Sequence, residues 1–400
     1  MEPVLATMLL LAVIAFGDVL SIISKAKIPM LLVAIVCAYI LVQTEIMPLG
    51  IVEASTFTIV GAVLQPPVLV HMGTIIPMDV LKSQYKAVLI TLIGLTCSVL
   101  FVLIGGSLIF DYGTAVSGAG PLTGGIIATL ITSEALKESG FTALASIPVI
   151  VLVLQGVLGM PLTSMFLRKH SQRLLKTMDS SYYNAATSAE QLAESAEPEK
   201  MLYGKEPSKK RLLIPEKYLE SNFIILLLIF IGGAISVWLE NITGINYSLF
   251  GLAIGIAGAL IGFYPQNALE KANGFGIAML GIIVIVIGAF IKTPWADIVS
   301  VLPAAAFIII IGTTGLLIGG YVGSKIFKWD PYKGMAVVLT ALFGFPADYL
   351  ITKEVSRSIG RNKQEEEAIS NETLAPMLIG GFTSVTVGSV VIASILVSTL

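Results

Sequence analysis

Apolar stretches long enough to cross a bilayer recur along the whole chain. They lie at 4–23, 28–44, 51–72, 86–110 and 142–167, then at 221–239, 248–264, 274–291, 298–324 and 372–399. A spanning helix needs about 20 mostly apolar residues, so each stretch predicts one. Two further segments, 121–141 and 332–360, hold too many glycines, prolines and polar groups for lipid-facing helices. The longest polar stretch, 168–220, separates the two sets; its Ser/Ala/Glu-rich part, 180–200, predicts a flexible or weakly helical linker. The domains expected are a first membrane repeat at 1–167, a linker at 168–220 and a second repeat at 221–400.

The interrupted segments match. Ile131-Thr132-Ser133-Glu134 echoes Ile351-Thr352-Lys353-Glu354 at an offset of 220, and Leu103-Ile104-Gly105-Gly106 echoes Leu317-Ile318-Gly319-Gly320 at 214. Both halves carry the same landmarks in the same order, with six extra residues in the second. That surplus is expected near Gly344-Phe345-Pro346. A duplicated interrupted segment in a membrane protein points to a transport site.

Composition agrees with the pattern. Only 12% of residues are charged, and the mean hydropathy is +0.90. A net charge of −2 gives no ground for a nucleic-acid partner. Cys37 and Cys97 lie inside apolar runs and read as small buried hydrophobes. Without a basic stretch before it, Met1–Phe16 reads as a retained first span. Basic loops belong on the cytoplasmic side of a cell membrane. Lys25/Lys27, Lys82/Lys86, the linker, Lys271 and Lys325/Lys328/Lys333 would be inside, and the loops 45–50, 111–120 and 240–247, without Lys or Arg, outside. Lys292 alone runs against this. The pattern closes only if 121–141 enters and leaves on the outer side and 332–360 on the inner side. The fold expected is therefore an all-α membrane protein of about ten spanning helices in two inverted five-helix repeats. Each repeat has a re-entrant hairpin or broken helix, and both termini are external.

Non-helical backbone cannot face lipid, since each unpaired N–H or C=O costs several kcal/mol there. Hairpins from opposite sides bring their tips together, where half-helix N-termini suit an anion and freed carbonyls a small cation. In the first segment Thr123, Gly124, Gly125, Thr129, Thr132 and Ser133, after Pro121, are the substrate-site candidates. In the second they are Gly344, Phe345 and Thr352, with Thr340 and Asp348 for the ion. Pro346 predicts a break before Asp348, and a carboxylate at membrane depth is functional by default. Its alternative role is a helix cap. Glu134 with Lys137, and Glu354 with Arg357, have the spacing of i,i+3 ion pairs. Gln65-Pro66-Pro67 predicts a break in the third span and adds Gln65 as an ion-site candidate. His71 reads as a lone satisfied histidine. No HExxH, Walker A or G-x-S-x-G motif is present, so neither ATP hydrolysis nor catalysis is expected.

In repeat order, linker position and the hairpin before the last span of each half, the chain resembles the glutamate:sodium symporters and related inverted-repeat transporters of 2-hydroxycarboxylates, bile acids and bicarbonate. The closest local likeness is Gly344-Phe345, where glutamate symporters carry a glycine-rich Gly-Phe turn. Their Gly-His-Gly-Thr stretch is here Ile131-Thr132-Ser133-Glu134. The resemblance implies Na⁺-coupled symport of a small organic anion or amino acid. Its elevator would have a hairpin-bearing core sliding on a scaffold that forms a homodimer. No cofactor beyond Na⁺ or H⁺ as coupling ion is expected. Proton-coupled carboxylate transport or export, and a passive channel, are the alternatives.

Overall fold

The computed structural model describes residues 1–75, 84–141, 144–192 and 213–400; within these, the side chains of 126–127, 179–192, 216 and 386–387 are not described. Among the described residues there are helices and no strand. Six helices are long and apolar enough to cross a membrane: Pro3–Ile23, Phe57–Ile75, Tyr85–Ile109, Ile147–Met178, Asn222–Thr243 and Trp295–Ile326. Met30–Gln43, Tyr247–Ile261 and Phe275–Ile291 are apolar but shorter. Large apolar side chains cover the outside, with Val4, Leu108 and Phe223 each about four-fifths exposed. A surface of that kind belongs in hydrocarbon. The chain is an all-α membrane protein.

One order of elements occurs twice. The first half has α1 (Pro3–Ile23), α2 (Met30–Gln43), the short α3 (Ile51–Ala54), α4 (Phe57–Ile75), α5 (Tyr85–Ile109), the paired α6 (Tyr112–Leu122) and α7 (Ile126–Glu138), and α8 (Ile147–Leu192). The second has α9 (Asn222–Thr243), α10 (Tyr247–Ile261), the short α11 (Ala268–Lys271), α12 (Phe275–Ile291) and α13 (Trp295–Ile326). It continues with the paired α14 (Pro331–Leu339) and α15 (Ala347–Ile359), then α16 (Lys363–Thr383), which passes through a π turn at Ser384–Gly388 into α17 (Ser389–Val397).

The helices sort into two bodies. The first is built from α1–α4 and α9–α12, the second from α5–α8 and α13–α17. Within the bodies, α4 lies along α12 and α5 along α13. Between them, the main helix approaches are those of α1 and α2 to α15 and of α2 to α8. Small residues let the paired helices touch, as is usual in membranes. Gly61 and Gly281, themselves 220 positions apart, face each other, and a Cβ on Gly281 would lie 2.7 Å from the Gly61 Cα. Gly281→Ala is therefore expected to cost about 1–3 kcal/mol of stability by overpacking. Gly276→Ala on the same helix, with nothing within 4 Å of the added methyl, should leave the unfolding midpoint unchanged or raised. Thermal unfolding of the two variants in one detergent checks this.

Long-range contacts mark the two ends of the bundle. At one end Ser21 meets Glu354, Arg168 meets Ser358 and Arg173 meets Asp330. At the other, Thr7 meets Ser55, Lys292 meets Glu53 at 2.7 Å and Tyr112 meets Thr399. The α14–α15 hairpin opens at the first end and the α6–α7 hairpin at the second. The Lys292 exception to the charge pattern is thus met by a carboxylate, whose pKa the lysine lowers by hydrogen bonding.

Several expectations need correction. The first hairpin begins at Tyr112, not Pro121: residues read as an outer loop form its first arm. That arm is packed through small residues, as where Gly118 faces Ile308, so it lacks an apolar signature. Pro66 and Pro67 do not break α4, which is helical throughout 57–75. The Pro67 ring fits against Gly233, where a Cβ would come within 2.9 Å. The expected third span instead divides at Thr56, with φ +59. Residues 168–192 continue α8 as one helix; the rest of the linker to 212, Lys82 and the adjoining 76–83 lie outside the described residues. The six-residue surplus is mostly at the hairpin mouth, where α13 runs on to Ile326, and not at the tip.

Candidate functional site

Each hairpin starts on an aspartate. Asp111 accepts from the Thr114 amide at 2.9 Å and its hydroxyl at 2.7 Å, which hold its pKa down. Asp330 accepts from the Tyr332 and Lys333 amides. Both cap the first arm, satisfying N–H groups that a helix start leaves free. Burial pushes the Asp330 carboxyl up, but the neighbouring His170 and Arg173 side chains and the Tyr332 amide more than offset it. These two caps escaped the sequence reading, although Asp111 directly follows an apolar run.

The tips are formed by glycine. Gly124 and Gly125 have φ of +113° and +92°, and Gly344 has +61°, values that side chains resist. After these tips α7 and α15 begin; in α15 the amides of Asp348, Tyr349 and Leu350 already donate to the Gly344 carbonyl, the Asp348 carboxylate and the Pro346 carbonyl, which leaves the start of α7 as the place for free N–H groups. The tips come together on the π turn. A Cβ on Gly124 would lie 3.0 Å from the Ala341 carbonyl oxygen, one on Gly125 2.7 Å from the Val385 carbonyl oxygen, and one on Gly344 3.0 Å from Val385 Cγ2. Two hairpins from opposite ends thus meet at one stretch of irregular backbone, where π turns often mark function.

The hydroxyls at this junction are buried and already donate. Thr123 bonds the Gly120 carbonyl at 2.6 Å, Thr129 that of Gly125 at 3.1 Å and Thr132 that of Ala128 at 2.8 Å. Thr340 bonds Val337 and Thr352 bonds Asp348, both at 2.6 Å. Ser133 is turned away to the Ala145 carbonyl. A hydroxyl whose proton is engaged offers lone pairs only. The set therefore suits a cation or a donor group such as an ammonium, and the carboxylate end of a ligand falls to the N–H groups at the start of α7.

Asp348 is the unusual group. It is completely buried in the first turn of α15. Its Oδ1 accepts from the Tyr349 amide at 2.6 Å, while Oδ2 is buried with no partner. A Cβ on Gly381 would lie 2.5 Å from Oδ2 and 3.7 Å from Thr340 Cβ, so the carboxylate lies against bare backbone just before the π turn, beside Thr340. Uncompensated charge is costly at such a place. Oxygen ligands and a buried carboxylate fit a hard cation, and equally a proton. Among the described residues, no three His, Cys, Asp or Glu side chains cluster as a metal centre would need.

Other candidates lie elsewhere. Gln65 lies half-buried on α4 in the first body. His71 is buried; its Nδ1 accepts from the Leu269 amide at 3.1 Å, its ring packs on Phe275, and its Nε2 has no partner. Phe345 stacks on Phe382 at the second tip. The expected Glu354–Arg357 pair does not form: Arg357 pairs with Asp18 at 2.8 Å instead. Glu354 is buried between the bodies, where the Ser21 hydroxyl donates to it at 2.5 Å and the Met30 amide at 3.1 Å. Its counterpart Glu134 is exposed.

No family model matches the chain, and no curated protein matches it in sequence.

Proposed function

We propose that the chain is a secondary active transporter, a Na⁺-coupled symporter of a small organic anion or amino acid, in which the hairpin-bearing body moves against the other. One observation carries this. Both hairpin tips meet beside a wholly buried aspartate that has one bare carboxylate oxygen. Hydroxyl lone pairs and carbonyls supply the remaining cation ligands there, and the N-terminus of α7 supplies donors for the anionic part of a substrate. The division of the helices into two bodies with few close helix approaches between them supports relative motion. The twofold recurrence of the element order, with hairpins opening at opposite ends, supports an inverted repeat. A homodimer through the first body completes the reading, by the resemblance to elevator transporters. Counterflow of labelled amino acids and mono-, di- and tricarboxylates in proteoliposomes tests it; the reading expects saturable, Na⁺-dependent exchange of one class. Flux that neither saturates nor responds to Na⁺ or pH would favour a channel.

Proton coupling is the second reading, favoured by the same bare oxygen, which is suited to a carboxylic acid. In the cell membrane, the end bearing Ser21, Asp330 and the 168–220 linker is cytoplasmic and the termini are external. A cysteine at Lys217, in a Cys37→Ala/Cys97→Ala background, should escape an impermeant maleimide in intact cells and react after permeabilisation. Ready labelling from outside would reverse the orientation.

A further inference from the structure

The duplicated Thr-x-Glu element has two different fates. In the second half, Glu354 is buried in the seam between the bodies. It receives the hydroxyl of Ser21 on α1 and the amide of Met30, the first residue of α2. Asp18 and Arg357 pair beside it, and a cavity of about 340 Å³ lined by Asp18, Met30, Lys353, Glu354 and Arg357 opens next to it. Apolar side chains pack across much of the seam, as where Leu31 shares a core with Val355 and Leu69 one with Tyr349, and the polar links stand at its edge beside this cavity. In the first half, Glu134 stands exposed on α7, which packs on α6, α8 and α17 and away from the first body. The first body offers an equivalent helix start. Tyr247 opens α10 as Met30 opens α2, at the same place in the element order. Its surroundings are capped by Asn246, which bonds the Ser248 amide and hydroxyl.

We propose that Glu354 and Glu134 are alternating clamps: Glu354 holds the hairpin-bearing body to the start of α2 in the conformation described here, and Glu134 takes the equivalent place at the start of α10 when that body has moved. The inference rests on the moving-body reading above. It explains why one element, written twice, is docked once. In two positions related by the repeat, each carboxylate is satisfied in one and solvated in the other. Neither position is then favoured greatly, as repeated crossing requires.

Two cysteine pairs test it, both in the Cys37→Ala/Cys97→Ala background. Asp18→Cys/Arg357→Cys, at a pair whose charged tips are 2.8 Å apart, traps the present position with a short bis-maleimide. Lys137→Cys/Asn246→Cys with a flexible bis-maleimide traps the moved one. A hydrogen bond to a charged group is strong enough to shift the ratio of positions about tenfold. Adding Glu354→Ala should therefore slow the first trapping and speed the second, and Glu134→Ala should do the reverse. Glu354→Gln keeps an acceptor oxygen without the charge and should fall between the parent and Glu354→Ala. Ser21→Ala, a milder change should Glu354→Ala not fold, should act in the direction of Glu354→Ala. If both pairs trap but Glu134→Ala leaves the rates unchanged, the alternation is wrong and Glu354 is a fixed structural link. Unchanged rates with Glu354→Ala, or with Ser21→Ala in its place, would likewise overturn the clamp. If the second pair never links in any variant, the moving-body reading itself fails.

Discussion

Asp348→Asn is expected to abolish the Na⁺ dependence of uptake while the protein still folds and inserts. The substitution keeps the size of the side chain and an oxygen for the Tyr349 amide, which bonds Oδ1 at 2.6 Å. What it removes is the charge at Oδ2, the buried oxygen with no partner. Carbonyl and hydroxyl ligands are neutral, and a hard cation leaving water gains most from a carboxylate. The apparent Na⁺ affinity should fall by a factor of ten or more, an energy of about 1.4 kcal/mol for each tenfold step. Asparagine caps a helix as well as aspartate does, so a purely structural Asp348 would leave coupled uptake intact. A proton-coupled protein would lose its pH dependence in the same variant.

Gly381→Ala should damage the same step from the other side. The added methyl would lie 2.5 Å from Asp348 Oδ2, too close for either atom to stay. The carboxylate is anchored by the Tyr349 amide, so it can yield only by leaving the space beside Thr340. Overpacking of this kind costs about 1–3 kcal/mol. A loss of Na⁺ affinity of about tenfold is expected, with Gly276→Ala as the matched control in open space. Uptake kinetics against Na⁺ concentration in proteoliposomes decide; an unaltered Na⁺ response in Gly381→Ala would place the cation elsewhere.

Six of the ten expected spans were legible because their signal is local: an apolar run of spanning length needs no partner to be read. The second hairpin was nearly as clear, expected at 332–360 and found as α14 and α15, from Pro331 to Ile359, because Gly344 and Pro346 punctuate it. The first arm of the other hairpin was not. Tyr112–Leu122 is rich in glycine, alanine and serine, which reads as a loop until the close neighbours that demand small residues are known. Asp348 could be singled out by its place after a break, but its bare oxygen depends on Gly381, a residue 33 positions away. The π turn was invisible, since Ser384–Gly388 holds no breaking residue apart from its last glycine. Glu134 and Glu354 are alike in sequence and differ only in what the fold places against them. The two prolines of α4 mislead for the same reason: Gly233 makes room for them from another helix.

The most direct test of the cation site needs no knowledge of the substrate. Thermal unfolding of the purified protein is followed as NaCl replaces choline chloride at constant ionic strength, for the natural sequence and for Asp348→Asn. A ligand that binds only the folded state raises stability by about 2.7 kcal/mol at 100 times its dissociation constant. The midpoint of the natural protein should therefore climb with Na⁺, and that of Asp348→Asn should stay level. An equal climb in both proteins would contradict a cation at Asp348.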